Sequence, residues 1–493
     1  MWPLLPPLIV SNMQKSYHHL SGIEIRDGIA SGRFDPCQIM EHCLARCDEV
    51  QQKLNPFTDI YHSDAMAAAQ IVAERQADGL PMRPMEGIPV AIKEFTPIKG
   101  KRTTRGSAAL EHHIADRQPV IVQRLLDAGA IIVARTTTPE FAHSSFTRSP
   151  LFGHTLNPFD PSRTSGGSSG GSGVAVATGC VPLAEGTDMG GSVRIPAAFC
   201  GVLGLKPSHG RIPMDILSSV FDTISHFGPL ARTVDDMTLF MSCVEGADDA
   251  DIMSQIAPIP LDNISHDMNS NISGLRIAAS VDLGCFHVDA DVAANFAKSL
   301  DTLAKAGAII TPVEIAFTAE MVDAWYDYWC VYLAAAAEDL LPEYREAMDP
   351  DFLELVDRGL SLSAVAYRRL DEVRTTQWHA FIAAIADHDM LACPTMALPA
   401  PPYQDKELDY TSTDADGKLH ALDMTCLFNS IGQCPALSVP SGLTASGLPT
   451  AIQLIGRRFD DATPMRVARS LEQNQPWIDH LNACDHVLLN MEE

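Results

Sequence analysis

The chain has 493 residues and carries 62 Asp and Glu against 35 Lys and Arg, a formal charge of −27. This balance excludes a basic phosphate-gripping surface, so nucleic acid is not an expected partner. Twelve cysteines are scattered without C-x-x-C or Cys/His ligand spacing, and they read as reduced core residues of a cytoplasmic protein.

The first stretch, MWPLLPPLIV, is apolar, but prolines at 3, 6 and 7 oppose a helix and no basic segment precedes it. It reads as an N-terminal arm over 1–20, neither a signal peptide nor a membrane span. The spread of motifs over 21–493 favours a single domain. Asp35-Pro36 marks a helix start, with Ile39, Met40, Cys43, Leu44 and Cys47 at helical spacing. Ser63 is a candidate cap for an alanine-rich helix that ends before Gly79. Gly87 to Phe95 is a β-branched, apolar strand with Lys93 at its end. Burial there lowers a lysine pKa and makes the neutral amine, a competent base, accessible.

From Pro119 the pattern is helix, Gly129, then a strand over Ala130 to Ala134, and Phe296 to Val313 repeats this layout. Such helix–Gly–strand units indicate an α/β sheet with crossover helices. Residues 245–273 read as an acidic, polar surface connection. Residues 319–390 are helical in pattern and hold the aromatic cluster Trp325, Tyr326, Tyr328, Trp329 and Tyr332. Short strands follow at Leu391 to Pro394, Ala436 to Pro440 and Thr450 to Gly456, and a helix over Pro464 to Glu472 is expected to close the fold.

The densest signal is Thr164 to Arg194, where two glycine-and-serine turns flank an apolar run that reads as a buried helix feeding a buried strand. A phosphate-binding loop would end in Lys-Ser/Thr, whereas this first turn ends in Ser172-Gly173. Gly166-Gly167-Ser168-Ser169-Gly170 fits the G-x-S-x-G elbow of α/β hydrolases, with Ser168 as nucleophile, but that esterase reading leaves the second turn unexplained. The second turn, Gly186 to Arg194, presents Ser192 after Gly190-Gly191, and consecutive N–H groups in such a turn can converge on an oxyanion. A serine nucleophile needs a base from elsewhere, which makes Lys93, Ser168 and Ser192 a candidate relay.

The segments GIPVAIKEF, PIKGKRTTRGSAA, GHTLNPFDPSRTSGGSSGGSG, PLAEGTDMGGSVRIPAAFCGVLGLKPSHGRIP, PALSVPSG and GLPTAIQLIGRRFDD together resemble the amidase signature family of serine hydrolases. The resemblance implies an α/β fold with a large central mixed β-sheet covered on both sides by helices. It implies Ser192 as nucleophile, Ser168 as bridging serine with a cis peptide bond, and Lys93 as base. The N–H groups of Met189, Gly190, Gly191 and Ser192 are then expected to form the oxyanion hole. Asp188 and Arg194 either brace the turn as a pair or satisfy local backbone groups, and Ser169 is a supporting hydroxyl or a helix cap.

In this family the segment around Ala142, His143 and Ser144 lines the acyl pocket and the variable region 319–390 covers the site. Those three residues and Trp329 are thus candidate substrate contacts, although His143 reads more readily as a hydrogen-bonded structural histidine and the aromatic cluster more readily as core. Asn429, Asp423 and Gln453 fall on the family's substrate-facing side. The implied activity is hydrolysis of a small or medium aryl or alkyl amide, with esters or carbamates within reach of the same chemistry, and with no metal, cofactor or membrane involved. A homodimer is the default assembly. The alternatives are the glutaminase subunit of a tRNA-dependent amidotransferase, whose usual Asp-Asn after the lysine is Glu94-Phe95 here, and a catalytically silent binding scaffold.

Overall fold

A computed structural model of the chain describes residues 17–255 and 271–491. Among the described residues eleven strands form one mixed sheet, in the spatial order β1 (Phe57–Ile60), β3 (Ile131–Thr136), β2 (Pro89–Lys93), β6 (Leu183–Asp188), β8 (His226–Ala231), β7 (Leu203–Lys206), β12 (Ala436–Leu443), β13 (Pro449–Gly456), β11 (Met390–Pro394), β9 (Arg276–Ala279) and β10 (Ile309–Pro312). β4 (Arg148–Ser149) and β5 (Gly153–His154) form a separate ribbon. β3, β2 and β6 run parallel, as do β11, β9 and β10, while the strands from β6 through β13 to β11 pair antiparallel.

The two faces of the sheet are both apolar, which is why β2 reads as an uninterrupted apolar run rather than an alternating one. Val90 and Ile92 of β2 join a core that includes the helices Val120–Asp127, Val234–Val244 and Ala462–Asn474. Ala91, on the opposite face, joins a core built with the helices Pro36–Leu54 and Gly170–Ala177. Helices thus cover both sides, as the period-2 direction of strand side chains requires.

Most expected elements form near their expected bounds. Asp35 caps the helix Pro36–Leu54 by accepting from the N–H groups of Cys37 and Gln38. Ser63 is not a cap: the alanine-rich helix spans His62–Ala77 and its N-cap, Tyr61, makes no side-chain hydrogen bond, so Ser63 lies inside the first turn. The helix expected over Pro464 to Glu472 is Ala462–Asn474, but it does not close the fold. Beyond Pro476 a further helix, Ile478–Asn490, places Leu481, Cys484 and Leu488 in the second core.

Of the N-terminal arm, residues 1–16 lie outside the described residues, while Tyr17 and Leu20 pack on the second core. Residues 256–270 of the expected acidic connection also lie outside them. All twelve cysteines are free thiols. No helix among the described residues is long and apolar enough to cross a membrane.

Candidate active site

Lys93 is the last residue of β2 and is fully buried. The parallel neighbours β3 and β6 pair with β2 on its two sides, so the side chain leaves the sheet at a strand end over the first glycine turn. Its Nζ lies 2.6 Å from Ser168 Oγ and 2.8 Å from Thr187 Oγ1. Burial lowers the lysine pKa from 10.5 to about 7, against the opposing pull of the Glu185 and Asp188 charges. Glu185 is buried below it, accepting from Lys93 N–H at 2.9 Å and from Thr96 Oγ1 at 2.9 Å. Burial pushes the Glu185 carboxyl up to about 7, so the two members of this pair titrate together near neutrality. The Gly167–Ser168 peptide is cis, as the resemblance implies.

Ser168 and Ser192 are brought together because the two turns are stitched by backbone: Ser169 N–H donates to Ser192 C=O at 3.1 Å. The Ser192 hydroxyl has no hydrogen-bond partner among the described residues and lines two cavities. The lysine half of the expected relay is therefore closed by a hydrogen bond and the Ser168–Ser192 half is not. Catalytic hydrogen bonds commonly tighten only when substrate is bound. Ser169 does not cap the helix Gly170–Ala177, since its side chain makes no cap bond; its Oγ instead donates to Thr187 C=O at 3.4 Å.

The second turn is held from within. Asp188 accepts from Gly191 N–H at 2.8 Å, Val193 N–H at 3.2 Å, Arg194 Nε at 3.0 Å and Arg194 Nη2 at 2.9 Å. Both expected roles of the pair are thus realised, brace and backbone satisfaction together. Burial alone would raise the Asp188 pKa, but the Arg194 guanidinium outweighs it and holds the carboxyl well below its usual range. Gly191 N–H, expected in the oxyanion hole, is already committed to Asp188; the N–H groups of Met189, Gly190 and Ser192 have no partner among the described residues. Gly190 is required by close packing: a Cβ there would meet Trp325 Cζ2 at 2.1 Å. Gly191 has φ +130, and a Cβ there would meet Thr425 Oγ1 at 1.9 Å.

Two cavities meet at Ser192 and share Ala142, Met189 and Trp329. One, of about 290 Å³, is lined by His143, Ser144, Trp325, Tyr326, Glu407 and Asp423 among others. The other, of about 360 Å³, includes Ser168, Phe95, Arg105, Arg117, His226 and Tyr332. All four candidate substrate contacts therefore border the site. The His143 Nδ1 is tied to Glu140 C=O at 2.8 Å, and the Ser144 hydroxyl donates to Glu407 at 3.1 Å, so Ser144 is partly occupied by the protein itself. Of the aromatic cluster, Tyr328 packs on Tyr367, whereas the other four rings border one cavity or both.

Sequence reasoning did not assign Thr187, Glu185, Trp325, Thr425, Asn429 or Gln453 a role. Trp325 Nε1 donates to Met189 C=O at 3.0 Å, fixing the turn from the helix Ala319–Ala337. Arg194 donates to Gln453 Oε1 at 2.6 Å, Asn429 Oδ1 at 2.6 Å and Thr425 C=O at 3.0 Å. The signal available for Thr187 was its place one residue before Asp188, on the strand beside Lys93.

A buried amine on a serine hydroxyl, next to a braced turn with free N–H groups, sits within an α/β architecture shared by known amidohydrolases. A family model described as Amidase matches residues 38–464, and the chain belongs to this family, the amidase signature enzymes. It is 34% identical to an acylamidase of Rhodococcus erythropolis over 471 residues, 94% of this chain and 98% of the relative. It is 32% identical to a glutamyl-tRNA(Gln) amidotransferase subunit of Chloroflexus aurantiacus over 483 residues, 93% of this chain and 97% of that one. Among solved structures it resembles a bacterial aryl acylamidase of the amidase signature family, with TM-score 0.87 and 26% identity over 95% of this chain and 99% of that one.

Proposed function

We propose that the protein is a serine amidohydrolase that cleaves small or medium aryl or alkyl amides through an acyl-enzyme on Ser192. The observation that carries this reading is the buried Lys93 Nζ at 2.6 Å from Ser168 Oγ, in the cavity that Ser192 also lines. Neutral Lys93 donates an N–H to Thr187 Oγ1 and accepts the Ser168 proton, as Ser168 accepts that of Ser192. Ser192 Oγ then adds to the carbonyl carbon, and the developing oxyanion takes up the unpartnered N–H groups of Met189, Gly190 and Ser192. Run backwards, the relay protonates the leaving nitrogen, and water hydrolyses the acyl-enzyme. Esters and carbamates meet the same machinery wherever the cavities admit them.

The test is intact mass and peptide mapping after exposure to a fluorophosphonate, on the wild type and on Ser192→Ala, Ser168→Ala and Lys93→Ala. One adduct on Ser192, slowed in the Ser168 and Lys93 variants, is expected. An adduct on Ser168 that persists in Ser192→Ala would overturn the mechanism in favour of the G-x-S-x-G reading. The 32% identity to an amidotransferase component supports a second reading, a glutaminase that works with partner subunits. Hydrolysis of simple amides by the isolated chain, without glutamine preference, separates the two.

A further inference from the structure

The two cavities that meet at Ser192 differ in charge. The smaller carries the carboxylates of Asp323, Glu407 and Asp423 against one guanidinium, Arg358, which is itself paired with Asp327. The larger carries two guanidinium groups, Arg105 and Arg117, and the one carboxylate that lines it among the described residues, Asp188, is paired with Arg194. Arg117 is partly satisfied by Asp215, whose carboxylate lies 3.9 Å away. The Arg105 guanidinium has no hydrogen bond and no ion pair among the described residues, and rests with Cζ 5.0 Å from the Phe95 ring centroid. Its charged neighbours are Arg117 and, outside ion-pair distance, the Glu94 carboxylate, which accepts from Thr104 N–H; a half-buried cation so placed at a cavity wall is left without an anion in direct contact.

Two further observations point the same way. The Ser225 hydroxyl, 6% exposed, lines this cavity and has no hydrogen-bond partner among the described residues. The Phe95 ring that supports Arg105 also lies 5.9 Å from Lys93 Nζ, so guanidinium and relay border the same aromatic group. The rest of the wall is largely apolar or aromatic, including Phe141, Met214, Ile216, Leu217, Trp329 and Leu333.

Ser168 lines this cavity and not the other. The hydroxyl that returns a proton to the leaving nitrogen must lie beside it, so the amine half of the substrate belongs on this side and the acyl half in the acidic cavity. We propose that the larger cavity is a subsite for an amine that carries a carboxylate on an apolar or aromatic body, with Arg105 as the group that recognises the carboxylate. The substrate class is then the N-acyl amino acids and N-acylaminoarenecarboxylates. This rests on the amidohydrolase reading above. In balance, the C–N bond breaks, Ser192 Oγ takes the acyl group, and the nitrogen gains the relay proton and leaves as the free amino acid. Water then adds to the acyl carbon and releases the carboxylic acid.

The experiment compares kcat/KM for 4-acetamidobenzoate, acetanilide and succinanilic acid, in which the carboxylate lies on the amine side, is absent, or lies on the acyl side. The wild type is expected to prefer 4-acetamidobenzoate over acetanilide by about tenfold or more. In Arg105→Gln that ratio falls about tenfold, mainly through KM, and Arg105→Lys retains part of it. A wild-type ratio of one or below, a ratio unmoved in Arg105→Gln, or a preference for succinanilic acid overturns the assignment. Should Arg105→Gln not fold, protection of wild-type Ser192 from the fluorophosphonate by 4-aminobenzoate but not by aniline, lost at high salt, supports the same assignment, and equal protection by both refutes it. Failure of Ser192 to label at all would instead strike the amidohydrolase reading itself.

Discussion

Truncation of Arg194 to alanine tests the brace of the second turn. Arg194 and Asp188 are both fully buried and 2.9 Å apart. Removing the guanidinium leaves a buried carboxylate facing neutral donors alone, and strips Gln453 and Asn429 of their shared partner. Breaking a buried ion pair by deleting one member costs about 3–5 kcal/mol. With unfolding entropy near 2.1 cal/mol/K per residue, a chain of this length has about 1 kcal/mol/K in total, so the loss appears as a fall of about 3–5 °C in Tm. Thermal unfolding followed by circular dichroism, with the rate of fluorophosphonate labelling as second readout, checks both parts. The double change Asp188→Asn with Arg194→Met should recover most of the Tm, because the unpaired charge is gone, without recovering the labelling rate. A Tm within about 1 °C of wild type for Arg194→Ala, or undiminished labelling, would refute the reasoning.

The lysine sets the pH dependence. Its pKa is lowered to about 7, so Lys93 is an ammonium below that pH and a free base above it, and kcat/KM should rise as pH increases through about 7; a profile that is flat or falls between pH 6 and 8 in a stable enzyme contradicts this. Glu185→Gln removes an anion that raises the Lys93 pKa, so the rising limb should move to lower pH, and a limb that stays or moves up is inconsistent with the pairing. Gly190→Ala drives a Cβ to 2.1 Å from Trp325 Cζ2, which must displace the indole from Met189 C=O; overpacking of about 1–3 kcal/mol and loss of Ser192 labelling are expected, read by Tm and peptide mapping.

Much of the sheet was legible because burial on both faces leaves a local trace. β2 and the strands of the C-terminal part are short, largely apolar runs bounded by glycine and proline, and each forms within a few residues of its expected place. The catalytic candidates were legible for a different reason: both turns are single stretches of chain, so their glycines and serines are adjacent in sequence as well as in space. The brace was not. Arg194 is joined to Thr425, Asn429 and Gln453 across more than 230 positions of chain, and no periodicity or composition near any of them announces a buried guanidinium. Trp325 and Trp329 stand four apart on one helical face, so a shared direction was readable; that Met189 and Gly190 lie opposite was not. Nor does sequence say which N–H groups of a glycine turn are spoken for, which is how Gly191 came to be expected in the oxyanion hole.

The depressed Lys93 pKa and the Asp188–Arg194 pair are one electrostatic arrangement rather than two. The Asp188 charge raises the Lys93 pKa, and an unpaired carboxylate so near would hold the lysine as ammonium, useless as a base. Arg194 takes that carboxylate in two hydrogen bonds, and no carboxylate lies within ion-pair distance of Lys93 Nζ among the described residues; its hydrogen-bond partners are the hydroxyls of Ser168 and Thr187. Desolvation can then dominate and bring the amine to titrate near neutrality. The same guanidinium that fixes the turn backbone for an oxyanion thus keeps the neighbouring base free, which couples the geometry of one half of the site to the protonation of the other.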